Sequence, residues 1–290
     1  MMDKATLRRL LHLYPVDVLR ERWEVTAQTK DALIEQVIST LGDDEIFEFS
    51  RDFHGLTKQR VMLFANHSSN FKAIGETLIH NAFPTFSKRS KRGIEEFFLL
   101  PVVYTAIVGR VGEPYKPTKL DFLWPISISV DSTYARVNFT IIEKNIDAYL
   151  SDGFNAYDVR KEYDEKAICD RFIGGTLKPD VFEVADLNRG VKSIWKKGEI
   201  DAFYNAAKTA CSTHTEAMDT QKLMKRDLPG AFAQAMKEPL LKTMFRTLLP
   251  EGTYPPFFTI NPTEGWLTIS RYPKTSIEVD NVVRAILEAN

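Results

Sequence analysis

Between Ile126 and Ile141 the chain alternates apolar and polar residues strictly enough to exclude most ways of folding it. Ile126, Ile128 and Val130 alternate with Ser127 and Ser129. After a turn near Asp131-Ser132, Val137, Phe139 and Ile141 alternate with Arg136, Asn138 and Thr140. On a helix this period would scatter the apolar side chains around the axis. On paired strands it puts them all on one face, as a half-solvated antiparallel hairpin requires. A second hairpin is predicted near the end: Phe258 and Ile260 lead into Asn261-Pro262-Thr263-Glu264-Gly265, and Leu267 and Ile269 return opposite Thr268 and Ser270. Two such hairpins must bury their apolar faces against other elements, and the rest of the chain supplies helical periodicity, so the fold class expected is α+β.

That periodicity begins at the N-terminus. Leu7, Leu10, Leu11 and Tyr14 have helical spacing, and Pro15 ends or redirects the turn. Val16, Leu19 and Trp23 continue it, and Leu33, Val37 and Leu41 form a stripe beside Ile34 and Ile38, with Gly42 as the stop. Asp43 or Asp44 can cap a next helix with the face Ile46, Phe49 and Phe53, and Val61 to Ala65, Phe71, Ile74, Leu78 and Ile79 extend the pattern. Residues 1–82 are therefore predicted to be an all-helical N-terminal domain. Residues 83–93 (FPTFSKRSKRG) are predicted to be a basic linker or loop, and residues 94–290 a larger α+β domain. Within it, Phe97 to Val108 reads as buried core, with hairpins near 125–142 and 257–271. Residues 146–251 read as a long helical insertion, with one face at Ile200, Phe203, Ala207, Ala210 and Cys211 and another at Leu240, Leu241, Met244, Phe245 and Leu248. A last helix starts at Ser276 and carries Val279, Val282, Val283 and Ile286.

Charge narrows the partners. Lys plus Arg number 38 and Asp plus Glu 39, a formal net charge of −1, so nucleic acid or anionic lipid would have to be held by a local patch. No apolar run is long enough to span a bilayer, and no membrane partner is expected. Cys169 and Cys211 make no CxxC pattern, which points to a reducing, intracellular compartment, the cytoplasm before the nucleus.

Motifs that carry chemistry are few in this chain. His12, His54, His67, His80 and His214 show no HxxxH or HExxH spacing, so no metal site is expected, and Asn66-His67-Ser68-Ser69-Asn70 reads as caps and turn bonds. Gly174-Gly175 stands without a GxGxxG or P-loop context, so no nucleotide cofactor is expected. Asp180, Glu183 and Asp186 approach a metal-dependent nuclease pattern, but Ala185 stands where its lysine should. Two basic runs remain. Lys88, Arg89, Lys91 and Arg92 lie among Phe83, Phe86, Phe97 and Phe98. Arg189, Lys192, Lys196 and Lys197 surround Trp195. Both could contact phosphates, with aromatic stacking; the plainer reading is a solvated loop and a helix end where cations favour the dipole.

Val16 to Leu41 resembles the SAP and related helix-extended-helix family of small DNA-binding modules. Val18, Leu19 and Trp23 match the first helix, Val25 the link, Thr29-Lys30 the opening of the second helix, and Leu33, Ile34, Val37 and Ile38 its aliphatic pairs. The family's link glycine is replaced by Thr26-Ala27-Gln28, and its late basic residue by Glu35 or Gln36. The resemblance implies DNA contact through Arg20, Arg22, Lys30 and the amides that open the second helix. Its plain alternative is two bundle helices with core residues at core spacing. The function expected is thus non-enzymatic binding of nucleic acid, DNA before RNA. The alternative is an adaptor working through a protein partner or self-association, with a metal-dependent nuclease as a lesser one.

Overall fold

The computed structural model describes residues 3–40, 42–67, 86–91, 93–113, 118–143, 146–150, 153–161, 165–169, 182–208, 213–217 and 221–290. It is an α+β structure dominated by a large antiparallel sheet, with helices gathered at the N-terminus.

Four helices open the chain: α1 (Lys4–Leu11), α2 (Val16–Trp23), α3 (Lys30–Thr40) and α4 (Asp43–Asp52). Asp3 caps α1, accepting from the amides of Ala5 and Thr6 at 3.0 and 3.2 Å. Pro15, with its fixed φ, precedes α2, and Glu24 ends it in the left-handed conformation. Thr29 accepts from the Ala32 amide as α3 begins. The residue that caps α4 is Gly42 rather than either aspartate: Asp43 is already helical, and the Glu45 carboxylate reaches back to the Gly42 amide at 3.0 Å.

The predicted helical run then fails at Val61 to Ala65. Gln59–Asn66 is strand β1, placed in the middle of the sheet. It pairs with β7 (Tyr134–Thr140) on one side; on the other it pairs first with β14 (Trp266–Ile269) and then, beyond Leu63, with β9 (Phe182–Val184). Gly265 makes the handover. The Leu63 amide donates to its carbonyl, and a Cβ at Gly265 would sit 2.8 Å from the carbonyl oxygens of both Leu63 and Ala185. Phe71, Ile74, Leu78 and Ile79 lie outside the described residues.

Among the described residues eleven strands join in the order β11-β10-β12-β13-β14-β1-β7-β6-β3-β2, with β9 on β1. The expected hairpins are β6 (Ile126–Val130) with β7, and β13 (Phe257–Asn261) with β14. The basic stretch expected as a loop contains edge strand β2 (Phe86–Lys91), paired in register with β3 (Ile94–Leu99). Among its described residues the expected helical insertion is not all helix: β8 (Phe154–Lys161), β10 (Ile200–Lys208), β11 (Thr213–Ala217) and β12 (Leu240–Thr247) alternate with α5 (Asn188–Lys197), α6 (Met224–Asp227) and α7 (Pro229–Ala235). β4 (Val102–Arg110) forms a second, three-stranded sheet with β5 (Thr118–Leu123) and β8. The final helix is α8 (Glu278–Glu288).

The large sheet is buried differently along its width. Val61 and Leu63 of β1 point into one apolar cluster, with α5, α8 and strands β10, β12, β13 and β14. Met62 and Phe64 point the other way, into a cluster shared with α1–α4, β3, β6, β7 and the small sheet. The N-terminal helices therefore do not own a separate core. On the α5–α8 face, the half of the sheet formed by β7, β6, β3 and β2 presents polar residues instead, and there the cleft opens. No helix among the described residues is long and apolar enough to cross a membrane.

Candidate functional site

The cleft has a volume of about 800 Å3. Its floor is the polar half of the alternation that first marked the hairpin. Ser127, Ser129, Arg136 and Asn138 line it, because their apolar neighbours Ile126, Ile128 and Val137 are buried on the opposite face. Helix α8 forms one wall with Asp280, Arg284 and Glu288, and the end of α4 with the turn His54–Leu56 forms the other.

Both walls carry engaged ion pairs. Arg136 bonds Asn138 through Nε and Asp280 through Nη1, each at 2.6 Å, so the floor is tied to α8. Asn138 in turn donates to the buried Gln59 side chain at 2.9 Å. Opposite, Asp52 lies between Arg51 and Arg89 at 2.9 and 3.0 Å, and the hydrogen bond from Arg51 holds its carboxyl below the usual range. Arg284 and Glu96 are exposed in the cleft and form no ion pair among the described residues.

His54 is the anomalous group. It is 4% exposed, and burial pushes its pKa down to about 4. It bonds the Pro125 carbonyl while Nε2 has no partner, which places the proton on Nδ1 and leaves Nε2 a bare acceptor. At neutral pH this imidazole is uncharged. Two isoleucines at the rim, Ile94 and Ile277, are 36% and 55% exposed. The arrangement offers ion pairing of both signs, hydroxyl and amide hydrogen bonds, and small apolar contacts.

The residues singled out from sequence are not gathered at one place. On α2, Arg22 is exposed, while Arg20 folds over the link to the Ala27 carbonyl at 3.3 Å. Lys30 turns inward and donates to the carbonyls of His12 and Tyr14 at 2.8 and 2.7 Å. Lys88 pairs with Glu95 at 2.8 Å on the far face of β2, and Arg89 reaches the cleft. Lys91 closes β2, and Arg92 lies outside the described residues. On α5, Arg189, Lys196 and Lys197 are exposed, but Lys192 donates to the Glu238 carbonyl at 2.7 Å. Trp195, considered for base stacking, is fully buried and bonds Asp201 at 2.9 Å. Phe97 and Phe98 are buried as well.

The acidic cluster separates into unrelated jobs. Glu183 lies 3.6 Å from His67 beside β1, and Asp186 accepts from the amide of Asn188, the first residue of α5, at 2.9 Å. Asp180 lies outside the described residues, and among the described residues no group of three or more side chains could hold a metal ion. Cys169 is buried, its Sγ 3.5 Å from the Met62 sulfur; Cys211 lies outside the described residues. No family model matches the chain, and no curated protein does either.

Proposed function

We propose that this is a non-enzymatic binding protein that holds a polypeptide segment of a partner in the cleft. One observation carries the reading: the cleft mixes arginines and carboxylates over a floor of hydroxyls, with exposed isoleucines at its rim. Protein surfaces present that mixture, whereas a phosphate backbone calls for one sign of charge. The test is selection of a random linear-peptide library on the intact protein. Peptides should be enriched, and the paired changes Glu96→Lys and Arg284→Glu should weaken their binding about tenfold or more. If nothing is enriched, or enriched peptides bind the double variant equally well, the cleft is not a peptide site.

Nucleic-acid binding through the N-terminal helices is the second reading. It is supported by the non-helical link at residues 24–29 between α2 and α3, with Arg22 exposed beside it, and by exposed Arg189, Lys196 and Lys197 on α5. The inward Lys30 and the folded-over Arg20 count against it. DNA or RNA affinity should then fall steeply with salt and drop on charge reversal at Arg20 and Arg22. Absence of any shift at low salt with single- or double-stranded DNA or RNA ends this reading. Cys169 and Cys211, which make no CxxC pattern, support a reducing, intracellular compartment.

A further inference from the structure

We propose that the segment held in the cleft lies across the strands in extended form and carries the pattern acid, any residue, base, any residue, acid. This rests on the peptide-site reading above and adds the ligand's charge spacing to it. Strand register sets up one transverse row: Arg89 pairs with Glu96, Glu96 with Ser129, and Ser129 with Arg136. Directly paired residues of an antiparallel sheet stand on the same face. The row therefore reads cation, anion, hydroxyl, cation.

Neighbouring strands lie about 4.8 Å apart, so three steps separate the two arginines by about 14 Å. An extended peptide advances about 3.4 Å per residue with side chains alternating, so residues four apart project to one side about 13.6 Å apart. Acids at the first and fifth positions then meet Arg89 and Arg136, and a base at the third comes down beside Glu96. A helical ligand fails this spacing: about 13.5 Å takes nine residues, and nine residues turn the second acid to the opposite side.

The groups in the row have capacity left. Arg89 spends only Nη2 on Asp52, and Arg136 keeps Nη2 without a hydrogen bond among the described residues. Glu96, exposed between them, has no ion pair there.

The test uses fluorescein-labelled peptides on the intact protein, read by fluorescence anisotropy at low salt. The probe is Ser-Asp-Ser-Lys-Ser-Asp-Ser, and its isomer Ser-Ser-Asp-Lys-Asp-Ser-Ser has the same composition with compressed spacing. The probe should bind about tenfold more tightly than the isomer. A Glu96→Lys protein, checked for folding by circular dichroism, should lose that preference. Equal binding of the two isomers overturns the inference, as does a library selection whose binders lack the pattern; either result leaves the peptide-site reading standing. If no peptide of any sequence binds, that reading falls and the inference with it.

Discussion

Lys30 shows how a single side chain can change roles between sequence and fold. A lysine opening a second helix reads as a phosphate contact, yet its ammonium satisfies two carbonyls at the end of α1, and burial lowers its pKa to about 8. Lys30→Met should therefore cost about 2 kcal/mol of folding stability by urea titration, because it orphans both carbonyls. A loss no larger than that of a surface lysine would show that the bonds are dispensable. His54 supplies the pH dependence. The unfolded imidazole titrates near 6.5 and the folded one near 4, so between these values the unfolded chain binds the extra proton. Stability is full above about 6.5 and declines as pH falls through 4, by about 3 kcal/mol from this group. His54→Asn should flatten that acid limb; a limb of unchanged depth would assign it to other groups.

At the scale of elements, what could be read from the sequence depended on how many faces a strand buries. The hairpins β6–β7 and β13–β14 each keep a polar face, so alternation gave them away. β1 buries Val61 and Leu63 on one side and Phe64 on the other, which erases the alternation and leaves an apolar run that mimics a helix. β10 deceived for another reason. Register shifts at Ala202/Tyr204 and Ala206/Ala207 break its period, so Ile200, Phe203 and Ala207 fall at helical intervals. The cleft floor was visible as Ser127, Ser129, Arg136 and Asn138. Its walls were not, because α4 and α8 reach it from opposite ends of the chain. Helix packing yields a further prediction at Gly190 of α5, where a Cβ would overlap the Ile286 carbonyl oxygen of α8. Gly190→Ala should destabilise by about 1–3 kcal/mol even though alanine favours helix, because backbone cannot yield as a side chain can. A raised melting temperature in that variant would mean α5 and α8 stand farther apart.

For the molecule as a whole, β1 belongs to both apolar clusters, which ties their stabilities together. Leu63→Ala and Phe64→Ala each empty a different cluster, and each should cost about 2–5 kcal/mol. Trp124 reports on the cluster with the N-terminal helices and Trp195 on the other. Followed through either of these tryptophans alone, with the other three, Trp23 and Trp266 included, changed to Phe, urea unfolding should give one shared midpoint; two separated midpoints would show that the clusters melt independently. The same strand also sets a timetable for the chain as it is made. Gln59 finds its β7 partner, Thr140, fairly early, but its partner on the other edge is Ile269, about 200 residues downstream. At about 5–20 residues per second of synthesis, that edge of β1 and the greasy side of Val61 and Leu63 wait some 10–40 seconds for their cover. During that interval the nascent chain displays a half-built sheet with one raw edge, which closes only when β14 and α8 emerge.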